Sequence, residues 1–158
     1  MKKSMLKLTA VLALLIVVLA AAGCGGGGQG GAKRLTGLAP DEVVQTFFNA
    51  AKSGNLNDAG LYVSPSSAND PQTVIKYLTG NSGLNELKNA NLLSLRKAAE
   101  QGNYAVVVAT LQTAQNTTNI VIRPVGLEKV NGEWYIVDFD QIYQGAKYQI
   151  LQQLLAKI

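Results

Sequence analysis

Asp138 and Asp140, one residue apart around Phe139, form the pattern in this chain best suited to catalysis. Two carboxylates can divide the roles of general acid and general base when their surroundings push their proton affinities apart. Strand alternation would set both on the face that carries Trp134 and Ile136. Tyr62, Tyr77, Tyr104, Tyr135 and Tyr143 are the tyrosines to be placed relative to that pair. The ordinary role of the same acids is structural. They would close a strand and cap the helix after it, Asp140 especially. Arg123, in the run Ile-Val-Ile-Arg-Pro-Val, suits an anionic ligand, or guards a sheet edge beside Pro124. Trp134 suits stacking on a ligand, and equally suits a core or pocket wall. Tyr62 is the third candidate for ligand contact. The chain has no histidine and one cysteine, Cys24. That excludes His-based triads and most zinc sites, so no metal and no cofactor is expected.

The first residues set where that chemistry would operate. Lys2, Lys3 and Lys7 precede an uncharged run from Leu8 to Gly23 that is rich in Leu, Val and Ala. This is the order of a secretory signal peptide, and the run is short for a spanning helix. Ala21-Ala22-Gly23-Cys24 resembles a bacterial lipobox, with Ala at 21 where Leu is most usual. The resemblance implies that residues 1–23 are removed and that Cys24 is lipidated. The protein would then be anchored at a cell membrane on its extracytoplasmic face, or in a periplasm. The alternative is an ordinary signal peptidase cutting after Ala22, which leaves Cys24 without a role. The glycines of residues 25–31 lack the spaced Gly-Lys-Ser/Thr of a phosphate-binding loop, and no strand precedes them. They predict a flexible tether over residues 24–38, with a reach of about 20 Å.

Three of the 14 Lys/Arg lie in the leader, leaving 11 against 10 acidic residues. A nearly neutral chain without a basic arm argues against nucleic acid as a partner. Residues 39–158 are one domain's worth of chain.

The elements that must position the candidates can be read from period and punctuation. Residues 39–55 predict a first helix: Pro40 at its start, Asp41 and Glu42 at the positive end of the dipole, and an apolar face of Val43, Val44, Phe47, Phe48 and Ala51. A short helix capped by Asn57 should run to Tyr62, and another from Pro71 to Leu78, after Asp70 and before Gly80. Residues 81–90 carry no decisive period. Residues 92–99, 104–113, 119–130 and 133–139 read as four strands. Pro124 and Gly126 predict a bulge or an edge position in the third. Asn131-Gly132 predicts a type I′ hairpin turn. Residues 141–158 read as one amphipathic helix, packing on its own domain first and on a second copy or another partner second.

Helices followed by an antiparallel meander give an α+β class. The run from Pro40 to Val44, Phe47-Phe48, Gly54, Asn55, Ala59 and Tyr62 resembles the opening of domains of the nuclear-transport-factor-2-like superfamily. Residues 130–138 resemble its closing hairpin. The resemblance implies a curved four-stranded sheet wrapped around the first helix to form a conical pocket, with the C-terminal helix as an addition. Because fold does not settle function, the leading expectation is a non-catalytic module that binds a small ligand or an envelope protein. The alternative, implied by the superfamily's enzymes, is an isomerase or dehydratase using an Asp base and a Tyr donor, and the missing histidine and lack of clustered polar residues count against it.

Overall fold

The computed structural model describes residues 33–113 and 119–158. Cys24 lies outside the described residues. Helices α1 (Pro40–Lys52), α2 (Leu56–Gly60), α3 (Pro71–Thr79) and α4 (Leu84–Asn89) precede strands β1 (Asn91–Gln101), β2 (Tyr104–Gln112), β3 (Ile120–Val130) and β4 (Glu133–Ile136). Two short helices follow, α5 (Phe139–Gln144) and α6 (Gln149–Leu155), joined by a 3-10 turn over Ala146–Tyr148. The class is α+β. Helices pack against one antiparallel sheet in the order β1-β2-β3-β4.

Local chemistry explains the first helix. Pro40 opens it, and the Glu42 carboxylate reaches back 2.8 Å to accept from the Ala39 N–H. Val43, Val44, Phe47, Phe48 and Ala51 are buried against Val107, Ala109, Leu127, Trp134 and Ile136 of the sheet. Each large side chain so buried contributes about 1.5–3 kcal/mol. Asp70 caps α3 by accepting from the Gln72 N–H, and Gly80 ends it in the left-handed conformation. The second helix is capped at Asn55, not at Asn57. Asn131 and Gly132 both have positive φ, +52° and +86°, as the hairpin turn requires.

Alternation along β2 sorts the molecule into two layers. Ala105, Val107, Ala109 and Leu111 face α1, α3 and α4. Val106 faces the other way, onto Ile142, Tyr148, Leu151, Leu154 and Leu155 of the C-terminal segment. The segment therefore packs on its own sheet, though not as one helix. Gly145 sits at φ −94° and ψ 119°, outside helical geometry, and the break lets the Tyr148 ring turn inward. A Cβ at Gly145 would lie 2.9 Å from that ring. Ile150 and Ile158 remain exposed.

The third strand has no bulge. Its register with β2 runs unbroken from Tyr104↔Glu128 to Gln112↔Ile120, and the irregularities fall in β1, at Leu92/Ser94 and Lys97/Ala99. Gly126 serves close packing instead: a Cβ there would lie 2.6 Å from Ile142 Cδ1. The edge expectation for Pro124 does hold. Its carbonyl accepts from the Tyr77 hydroxyl at 2.8 Å, on the side away from β2. A strand residue turns its N and its C=O to the same side, so the missing N–H also faces outward. β4 cannot pair there, because it joins β3 only over residues 127–130.

Two sequence boundaries shift. β4 ends at Ile136, so Asp138 and Asp140 do not share its face with Trp134. After Val137 donates to the Gly126 carbonyl, Asp138 N–H turns to Ser67 Oγ, and the chain enters α5. The folded part also begins before residue 39. Arg34 Nε donates to the Leu61 carbonyl at 3.1 Å, one terminal nitrogen to Glu133 at 2.8 Å and the other to the Trp134 carbonyl at 2.5 Å. Gly37 N–H also donates to Glu133. Residues 34–37 are thus held on the domain, where the glycine content alone predicts a tether through residue 38.

Candidate functional site

The unpaired half of β3 leaves room beside it. Between that edge, the C-terminal end of α3 and the start of α5 lies a cleft of about 500 Å³. Lys76, Tyr77 and Gly80 come from α3 and its end, Arg123 from β3, and Asp138 and Asp140 from the α5 entry. Three separate parts of the sequence therefore bring both candidate acids, one candidate tyrosine and the candidate arginine to one place.

The aromatic groups make a wall. Tyr77 and Phe139 stack with centroids 4.3 Å apart and planes 14° from parallel, and Tyr143 tilts against Phe139 at 5.1 Å. The Arg123 guanidinium lies 5.7 Å from the Tyr77 ring centre, within cation–π range. Burial pushes the Tyr77 hydroxyl up to about 12, although the charge of Arg123 pulls the other way. That proton is already given to the Pro124 carbonyl.

The acids differ in engagement. Asp138 caps α5, accepting from the Gln141 N–H at 3.0 Å. The capping role thus belongs to Asp138, and not to Asp140 as local sequence suggests. Asp140 sits in the first turn, where a negative charge complements the dipole, and its side chain accepts from no described residue. Arg123 is half-buried. Its Nε is covered from solvent and has no hydrogen-bond partner among the described residues. A buried donor without an acceptor is costly, about 1–3 kcal/mol.

The other candidates lie elsewhere. Trp134 is buried in the main core, with Lys129 Nζ 5.3 Å from its ring. Tyr62 and Tyr135 flank the Arg34 guanidinium at 5.3 and 4.3 Å, and the Tyr62 hydroxyl accepts from the Leu35 N–H. Tyr104 donates to the Lys147 carbonyl.

Glu128 gave no signal in the sequence: it is one of three charges in β3, beside Lys129 and five residues after Arg123. It is 6 % exposed and accepts from Ser64 Oγ, from Ser66 Oγ at 2.8 Å, from Tyr148 at 3.1 Å and from Lys147 Nζ at 3.2 Å. Burial alone would raise its proton affinity. The Ser64, Ser66 and Lys147 donors outweigh that and hold the carboxyl below the usual carboxylate range. The cage ties the C-terminal segment to the loop after α2.

Among known proteins, no family model, no curated protein and no solved structure matches this chain.

Proposed function

We propose that this protein is a membrane-anchored extracytoplasmic lipoprotein, lipidated at Cys24, whose domain is of the nuclear-transport-factor-2-like kind and binds without catalysing a reaction. The leader and the lone thiol support the anchor. The helices-then-meander order and the Asn131-Gly132 hairpin support the domain type. One observation carries the binding reading: in the cleft, the Tyr77 hydroxyl and one Asp138 oxygen are already used by the fold, while Arg123 keeps its donors unspent. Groups held that way recognise a ligand rather than move its protons. An envelope protein is the other class of occupant this reading allows.

A second reading has one observation in its favour. Asp138, Asp140 and Tyr77 line a common cleft, as an isomerase or dehydratase with an acid base and a phenol donor would need. The fixed Tyr77–Pro124 hydrogen bond weighs against it. Two measurements test the proposal. A tagged fatty acid fed to cells should label the wild type and leave Cys24→Ala unlabelled; equal labelling removes the anchor. Purified protein should exchange no α-proton of simple carbonyl compounds. Exchange abolished by Asp138→Asn or Asp140→Asn would establish the enzyme instead.

A further inference from the structure

The charges around the cleft come in opposed pairs. Lys76 and Arg123 stand on the α3–β3 side, and Asp138 and Asp140 on the α5 side. No nitrogen of Arg123 donates to a described residue, and no oxygen of Asp140 accepts from one. Gly80 lets the guanidinium lie against the end of α3, since a Cβ there would be 3.2 Å from its terminal nitrogen. Resting on the reading of this cleft as a binding site, we infer that its ligand is a small zwitterion of amino-acid type. The carboxylate takes the Arg123 fork, and the ammonium group faces Asp138 and Asp140.

Charge and shape both select this class. A guanidinium matches a carboxylate in a planar, two-point fashion. A dianion such as phosphate would gain from Arg123 and Lys76 but meet two carboxylates across the cleft. A simple cation would meet the reverse. A molecule carrying both charges leaves neither side unpaired. The Tyr77–Phe139 stack gives its methylenes an apolar wall. A volume of about 500 Å³ lies within the usual size of small-molecule sites.

The test uses the full chain in detergent micelles with ¹⁵N-arginine, so that Arg34, Arg96 and Arg123 report separately through their Nε–H signals. The probes are the straight-chain amino acids from glycine to 6-aminohexanoate, with acetate, methylammonium and inorganic phosphate beside them. At least one amino acid should move the Arg123 signal saturably and bind about tenfold or more tightly than acetate or phosphate. Asp140→Asn should bring that amino acid down to the level of acetate. Titration calorimetry should detect that amino acid binding to the wild type and not to Arg123→Gln, while the Arg34 signal, which reports an intact fold, stays in place. If phosphate or acetate moves the Arg123 signal and binds at least as tightly as every amino acid, the zwitterion inference is overturned and the cleft remains a binding site. If no probe moves that signal up to about 10 mM, the inference and the small-ligand reading of the cleft both fall.

Discussion

Arg34 and Arg123 carry the same guanidinium into two different surroundings. All three nitrogens of Arg34 donate, to main-chain carbonyls and to Glu133, and two tyrosine rings close over its carbon. Arg123 has one ring beside it and no acceptor among the described residues. Glu128, five residues along β3 and on the opposite face, resembles Arg34: its oxygens are matched on every side. A charge whose hydrogen bonds are complete holds the fold together. A charge left incomplete beside open volume is where the molecule has something to offer a ligand.

That contrast can be broken by substitution, and the largest effect should come from the best-satisfied group. Glu128→Ala removes the acceptor of three hydroxyls and an ammonium group. Hydrogen bonds to charged groups contribute about 1.5–3 kcal/mol each and are not additive, so a loss of about 3 kcal/mol is expected in urea unfolding. A loss under about 1 kcal/mol would show that the cage is decorative. Arg34→Met keeps the apolar stem but leaves the Leu61 and Trp134 carbonyls without their donor, for about 2 kcal/mol. Its partly exposed ion pair with Glu133 adds little.

The two regions should also fail at opposite ends of the pH scale. In the fold Glu128 holds its proton less tightly than its ordinary value near 4.5. Its stabilisation is therefore complete above that value and is lost as pH falls through the lower native one. Tyr77 runs the other way. Its proton affinity rises from 10.0 to about 12, so its contribution is present below pH 10 and is lost as pH climbs toward 12. Melting temperatures of Glu128→Gln should lose part of the acid slope, and those of Tyr77→Phe part of the alkaline one. Unchanged slopes would refute the assignments. The smallest effect belongs to Arg123→Met. Removing a buried donor that has no acceptor should alter stability by less than about 0.5 kcal/mol, or raise it. A loss as large as that of Arg34→Met would mean that Arg123 is structural.

What the sequence discloses follows the range of the interactions involved. Pro40, Asp70, Gly80 and the Asn131-Gly132 turn act within a few residues, and those features are legible directly. The apolar periods of α1 and β2 are legible too, because burial of a face leaves a repeat. The break at Gly145 is different, since it depends on Tyr148 reaching Glu128, 20 residues away. The end of β4 depends on Ser67 receiving the Asp138 N–H, 71 residues away. Strand alternation therefore extends the strand too far and sets the two acids on the wrong face. Asp138, Asp140, Tyr77 and Arg123 could be named as candidates from residue type. Their meeting in one cleft, and the engagement of Glu128 and Arg34, rest on contacts between distant segments that no local pattern encodes.

The clamp at Arg34 also decides how the domain answers to force. A pull on the chain from its N-terminal side reaches the fold first at Arg34 and Gly37, whose holds are side-chain contacts to Glu133, Leu61 and Trp134 rather than a strand ladder. Such contacts break singly, before the paired strands or the packed face of α1 carry load. Their release frees residues 34–39, a segment with a contour length of about 20 Å at roughly 3.5 Å per extended residue, so the chain gains the part of that length it does not already span. The segment is a mechanical fuse: it yields length under tension while the core and the cleft beside β3 keep their shape.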